Sequence, residues 1–303
     1  MDDSRVLITG GAGFIGSTLA NRLAADNDVI AIDDRSLGTP ENLDPGVEFL
    51  DRSVLEDDWP AEVDVAFHLA ALSSRAMLEN RPREGTRVNV EGMVNVIERT
   101  REHAEAIVVA GTSSMYDDKP PSRETDSVEA ATCYEASMLA RDRYMEYYNN
   151  FYEDVHVAST RFSSVYQGYG GNEAHKGEYA NTVSQWAEKM ADGRRPVLWG
   201  DGTQTRDYVH VSDVVRAMEA VANARLEGAY NVGTGRNFSF NETVALLNDA
   251  LGTDIEPEYE PVQLRNYNYQ QRFDISKLRE ATGWEPTVPF EEGVERVCRP
   301  YAE

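Results

Sequence analysis

Cysteine, lysine and long apolar runs are the scarce features of this 303-residue sequence. Its two cysteines, Cys133 and Cys298, are too few for a disulfide framework or a thiolate metal cluster. Both read as ordinary reduced residues, and neither thiol redox chemistry nor a metal site is expected. No apolar stretch approaches the roughly 18 to 20 residues that cross a bilayer, and Met1 to Arg5 leads into a strand-like segment without a signal-peptide pattern. A soluble, cytoplasmic protein with no membrane partner is the expectation. Only four lysines, Lys119, Lys176, Lys189 and Lys277, stand beside 25 arginines and 53 acidic residues, for a formal net charge of -24. That excess repels nucleic acid, because each phosphate contact needs a cation to release counterions; no nucleic-acid partner is expected. Abundant carboxylate with scarce lysine suits a halophilic protein, whose acidic surface stays hydrated while dense salt screens its self-repulsion. On that reading the charge reports habitat rather than function.

What is present is an alternation of β-branched runs and helical patterns. Val6 to Ile8, Val29 to Ile32, Val63 to Phe67, Ala106 to Ala110 and Val155 to Arg161 read as strands. Between them, helices are expected over about Phe14 to Ala25, Thr86 to His103 and Tyr134 to Phe151. Strand and helix in alternation predict an α/β chain: a Rossmann-type, doubly wound parallel sheet with a smaller C-terminal substrate-binding region. The dinucleotide-binding part is expected over 1–165. The substrate region is expected over 166–204, with a helix near Tyr179 to Ala191, and over 236–303. Segments at about 205–235, including Val209 to Ala222 and Ala229 to Val232, are expected to return to the main domain.

Gly10-Gly11-Ala12-Gly13-Phe14-Ile15-Gly16 follows the first strand and opens the first helix, the context in which a glycine pattern carries weight. Gly10 and Gly13 let the backbone turn and approach a pyrophosphate, which the free N–H groups and positive end of the helix then meet; Gly16 lets helix and strand pack closely. Asp33 ends the second strand, 23 residues after Gly10, where a carboxylate accepts from ribose hydroxyls. NAD is the expected cofactor, although Arg35 stands where it would also meet the extra phosphate of NADP.

Further segments, in order, are Asp51-Arg52, His68-Leu69-Ala70-Ala71, Asn89-Val90-Glu91-Gly92, Thr112-Ser113-Ser114-Met115-Tyr116, Tyr134-Glu135-Ala136-Ser137 and Thr205 to Val211. Asp274 to Lys277 and Thr282 to Pro286 close the series. Together they resemble the extended short-chain dehydrogenase/reductases, in particular the nucleotide-sugar 4-epimerases and their relatives, over nearly the whole chain. The resemblance implies that Asp51 and Arg52 lie by the adenine, that Leu69, Ala70 and Ala71 line the cofactor cleft, and that Asn89 sits beneath it. It implies that Thr112 and Tyr134 form the catalytic pair, the tyrosine taking a proton from the sugar 4-hydroxyl while hydride passes to the nicotinamide. It implies a homodimer built through the helices at 86–103 and 134–151.

The sequence departs from that family where a Tyr-x-x-x-Lys helix should place its lysine: the residue is Met138. A thioether carries no charge, so it can neither lower the phenol pKa from about 10 nor hold ribose hydroxyls. Asp117 replaces a glycine after Tyr116, and Ser163-Ser164 stand where the epimerases commonly carry Phe-Asn, so Ser164 is the expected sugar contact. Ser113 and Ser114 follow Thr112 where the dehydratase relatives need Asp-Glu, which disfavours dehydration and leaves Ser114 as a substrate contact. Arg206, with Arg265 or Arg272, is expected to clamp the substrate diphosphate, since a guanidinium pairs bidentately with phosphate. The leading expectation is an NAD-dependent nucleotide-sugar epimerase of the UDP-hexose 4-epimerase type. The alternatives are a sugar-nucleotide dehydrogenase or reductase, and an NAD-binding protein that has lost its chemistry, in which Met138→Lys would create or greatly raise activity.

Overall fold

The computed structural model describes residues 1–79, 81–116, 118–263 and 267–301; Asp117 and Arg265 lie outside the described residues. Six parallel strands come first: β1 (Arg5–Thr9), β2 (Asp28–Asp33), β3 (Glu48–Asp51), β4 (Val65–His68), β5 (Ala106–Thr112) and β6 (Val157–Phe162). β1, β2, β4, β5 and β6 are buried along most of their length, as a sheet covered on both faces requires. The chain then makes β7 (Ser164–Tyr166), β8 (Val197–Trp199), β9 (Thr205–Arg206) and β10 (Tyr208–His210) outside this sheet. β11 (Gly228–Val232) returns to pair with β6, and β12 (Phe238–Ser239) and β13 (Glu258–Glu260) follow. The sheet order is β11-β6-β5-β4-β1-β2-β3, all parallel. The order reverses between β1 and β4, which opens a crevice at the carboxyl ends of the strands, where open α/β sheets bind ligands.

The helices are α1 (Phe14–Leu23), α2 (Arg75–Leu78), α3 (Pro82–Gly85), α4 (Gly92–Thr100), α5 (Cys133–Phe151), α6 (Thr182–Ala191), α7 (Val211–Asn223), α8 (Phe240–Leu251), α9 (Ser276–Thr282) and α10 (Phe290–Cys298). On one sheet face Leu19 and Leu23 of α1 and Val214, Met218 and Val221 of α7 pack with Val6, Ile8, Phe67 and Val108. On the other, Val96 and Ile97 of α4 and Met145 and Tyr148 of α5 pack with Leu7, Ile30, Ile32 and Ile107. A third cluster, with Trp186, Phe240, Leu247, Phe290 and Val294, joins α6, α8 and α10.

Three expected elements differ in detail. The helix expected from Thr86 begins as a π-helical turn over Thr86–Glu91, which carries Asn89 fully inward. The helix expected from Tyr179 begins at Thr182, where the Asn181 side chain accepts from the Val183 N–H and caps it. The segment expected as one unit from Val209 divides into β10, paired with β7 rather than with the main sheet, and α7.

A buried ion pair fastens α5 to the sheet. Arg161 of β6 donates from Nη2 (2.7 Å) and Nε (3.2 Å) to Asp142 Oδ2 of α5. Its Nη1 donates to the Tyr116 hydroxyl at 2.7 Å, and that hydroxyl donates to Asn231 Oδ1 of β11 at 2.7 Å. Removing one member of such a pair strands the other charge in low dielectric. Asp142→Ala is therefore expected to cost about 3 to 5 kcal/mol of stability, read as a midpoint shift in denaturant titration; a cost below about 1 kcal/mol would show that the pair is not a fastening.

Candidate functional site

A cleft of about 1420 Å³ lies at the carboxyl ends of the central strands. The glycine loop forms one wall. Gly10 sits in the left-handed region at φ +68°, and a Cβ there would stand 2.6 Å from the Ala70 N atom; a Cβ on Gly16 would collide with the Gly10 carbonyl. Only a loop without side chains at these points lets β1 run into α1 beside the loop after β4. Gly13 caps α1 with no side-chain hydrogen bond and no acid in the first turn, so the helix offers its N–H groups to an anion. Gly10, Gly13, Phe14, Ile15, Gly16, Leu69, Ala70 and Ala71 all line the cleft.

Asp33 stands at the end of β2 on the same wall, where its carboxylate accepts from the Ala12 N–H at 3.1 Å and the Arg35 N–H at 2.8 Å. Burial raises its pKa, and these two N–H groups oppose the rise. Arg35 pairs with Asp51 at 3.3 Å. Asp51 meets Arg35 at the end of β3, and the following Arg52 lines the cleft. Asn89 lies beneath the floor, where it accepts from the Leu72 N–H at 2.8 Å and donates to the Ser137 hydroxyl at 2.9 Å.

At the far end, Thr112 closes β5 and Tyr134 opens α5. The register of that helix start is set by a capping box: the Thr132 hydroxyl accepts from the Glu135 N–H, and the Glu135 carboxylate accepts from the Thr132 N–H. Burial pushes the Tyr134 phenol above its ordinary value. A hydrogen bond from the Thr112 hydroxyl and the charge of Arg141 act against burial, while Glu135 acts with it. Ser114 Oγ lies 3.2 Å from Thr112 Oγ1. Met138 lines the cleft beside them and is 4% exposed, a packed methionine where a cation was looked for.

Arg206 reaches the cleft from β9. Its guanidinium lies 5.3 Å from the ring centroids of both Phe240 and Tyr267, and Nη1 donates to the Thr205 carbonyl, so it pairs with no carboxylate in these contacts. Asp207 beside it is fully buried and accepts from the N–H groups of Thr234, Gly235 and Phe273; burial raises it to about 6. Ser164, the expected sugar contact, is not among the residues that line the cleft. It belongs to β7, donating its N–H to the Asp207 carbonyl, and strand alternation turns the preceding Ser163 inward instead. The Ser163 hydroxyl is buried with no hydrogen-bond partner among the described residues.

Ser163, Lys176 and Arg141 are among the lining residues that escaped the sequence. Lys176 Nζ stands 5.7 Å from the Phe14 ring, at the glycine loop, and burial lowers its pKa. Nothing in the sequence ties residue 176 to that loop. For Arg141 a signal existed, since it lies seven residues after Tyr134 on one helix face.

A family model described as the NAD dependent epimerase/dehydratase family matches residues 6–233, and the chain belongs to that family. It is 36% identical to the UDP-glucose 4-epimerase of Mycolicibacterium smegmatis and 33% identical to a putative UDP-glucose 4-epimerase of Methanocaldococcus jannaschii, with 96% of each chain covered in both comparisons. The solved Thermus thermophilus UDP-glucose 4-epimerase in complex with NAD superposes with a TM-score of 0.84 at 30% identity, covering 98% of each chain.

The Asp33 carboxylate is the anchor expected for the adenosine ribose. Asp33→Ala should weaken NAD binding about 10- to 100-fold in calorimetric titration, the worth of one or two charge-assisted hydrogen bonds; unchanged affinity would place the ribose elsewhere.

Proposed function

We propose that this chain interconverts a UDP-hexose and its C4 epimer with NAD as cofactor, UDP-glucose and UDP-galactose being the first pair to test. One observation carries the reading: the Thr112 and Tyr134 hydroxyls meet at the end of a cleft whose other end is an uncapped glycine loop with a strand-end aspartate. The cradle fits a dinucleotide, because Gly10 and Gly16 leave the space a Cβ would fill and α1 presents free N–H groups. In this assignment Gly13, Phe14, Ile15 and Gly16 hold the pyrophosphate, Asp33 the ribose, Arg52 the adenine side, and Leu69, Ala70 and Ala71 the floor. When bound, NAD supplies uptake and return of a hydride.

The protein's own part is binding and proton transfer. Tyr134, as its phenolate, removes the proton of the sugar 4-hydroxyl and later gives it back, with Thr112 donating to the phenolate oxygen until that proton arrives. Ser113 and Ser114 carry no acid beside Thr112, so no group there drives loss of water, which separates this site from dehydration. Ser114 and Ser163 face the sugar, and Arg206 holds the diphosphate between Phe240 and Tyr267, joined by Arg265. Residues 166–204 and 236–303 make up the substrate region in this assignment.

The acidic surface is assigned to a halophilic cytoplasm, and no described helix is long and apolar enough to cross a membrane. A homodimer through α4 and α5 accounts for Tyr144, Tyr147 and Phe151, which lie along one stripe of α5 and are 43%, 44% and 67% exposed. Sedimentation of Tyr147→Glu/Phe151→Glu in concentrated salt is expected to show a monomer; a dimer that persists would move the interface away from α5.

Tyr134→Phe is expected to lower kcat for UDP-galactose to UDP-glucose conversion at least about 100-fold, while NAD still appears by mass spectrometry of the purified protein. Retention of more than a tenth of the rate would remove Tyr134 from the reaction.

A further inference from the structure

Met138 leaves the fourth position after Tyr134 uncharged, yet the same face of α5 carries a charge one turn further on. Residues 134, 138 and 141 are spaced i, i+4 and i+7, within one stripe of a helix, and all three line the cleft. The Arg141 guanidinium lies against the Met138 thioether, Nη1 to Sδ 3.8 Å, and reaches the His68 carbonyl at the end of β4, Nη2 to O 3.4 Å. The residue is 2% exposed, and its Nε has no hydrogen-bond partner among the described residues. Neither of its contacts is to a carboxylate, and the adjacent Asp142 is held by two guanidinium nitrogens of Arg161. A guanidinium in this position is costly until an anion forms beside it.

We propose that Arg141 supplies the positive charge that the Tyr-x-x-x-Lys arrangement takes from lysine, acting through Tyr134 as a positioning residue. Its consequence for turnover rests on the 4-epimerase reading above; its effect on the phenol needs no substrate. The charged groups bearing on the phenol are Arg141, which favours the phenolate, and Glu135, which opposes it; Thr112 contributes a hydrogen bond. Around Arg141 stand Tyr134 and Asp142, together with His68, whose imidazole burial and Arg141 keep uncharged. Lys176 stands at the glycine loop, beside the Phe14 ring. Burial lowers the guanidinium to about 10, so it stays charged at neutral pH.

The expectation for Met138→Lys is thereby reversed. With Sδ only 3.8 Å from the guanidinium, an ammonium at residue 138 would face a like charge in a buried place. Met138→Lys should therefore lower activity while Arg141 is present and restore it once Arg141 is removed.

The test compares wild type, Arg141→Met, Arg141→Lys and Met138→Lys/Arg141→Met. Each is titrated by ultraviolet difference against the same protein carrying Tyr134→Phe, with NAD present, and each is assayed for kcat against pH. Arg141→Met should raise the Tyr134 midpoint by about one to two pH units, the shift expected of one lost nearby charge. Its kcat should fall about 10- to 100-fold, with the rising limb of the pH profile displaced upward by the same amount. Arg141→Lys and the double variant should bring midpoint and profile back. An unchanged midpoint in Arg141→Met overturns the proposal, and so does a shift that neither charge-restoring variant reverses. A wild type that converts no UDP-hexose would defeat the 4-epimerase reading alone, since the phenol titration decides the role of Arg141 by itself.

Discussion

The Tyr134 side chain is half-buried at the end of the cleft, and burial favours the neutral form of a group that must be ionised to take the sugar's proton. The arrangement around it answers to that constraint. Thr112 is brought to the phenol because β5 ends there, and Tyr134 because the Thr132–Glu135 capping box starts α5 just before it. The helix cannot drift, since Asp142 ties it to Arg161 of β6, and through Tyr116 that arginine reaches β11. The same helix carries Arg141 on the stripe that holds Tyr134, where its charge opposes the cost of burial. An ion pair and a cap thus set the geometry, and a guanidinium that bonds no carboxylate among the described residues sets the electrostatics.

At the other end of the cleft the controlling factor is the absence of side chains. Gly10 and Gly16 let β1, α1 and the loop after β4 converge, which only backbone can do at such separations. Convergence leaves the α1 N–H groups exposed to an anion and sets Asp33 of β2 beside them. Ser163, directly after β6, and Arg206 of β9 add to the lining of the same cleft.

Much of this was legible in the sequence, because parallel strands buried on both faces read as β-branched runs and the glycine pattern directly follows one of them. The parallel sheet stands where the reading put it, and the glycine loop, Asp33, Thr112 and Tyr134 line one cleft. What escaped it depended on direction rather than position. Whether Ser163 or Ser164 faces the cleft, and whether Asp51 or Arg52 does, turns on strand alternation at an element's end, where register is hard to read. Arg141 escaped because the motif was searched at four residues, although a helix face repeats at seven as well. Lys176 escaped because a long loop brings it to the glycine turn, and no periodicity reports that.

In the proposed function, a chain with methionine at the motif's lysine position is nevertheless a working 4-epimerase. The most direct test gives the wild-type protein UDP-glucose deuterated at C4 in concentrated salt and examines the sugar nucleotides by NMR and mass spectrometry. UDP-galactose that still carries its deuterium at C4 is the expected product, because the hydride taken from that carbon returns to it within the same cleft. Unconverted UDP-glucose, or UDP-galactose that has lost its deuterium to solvent, would contradict the proposed function.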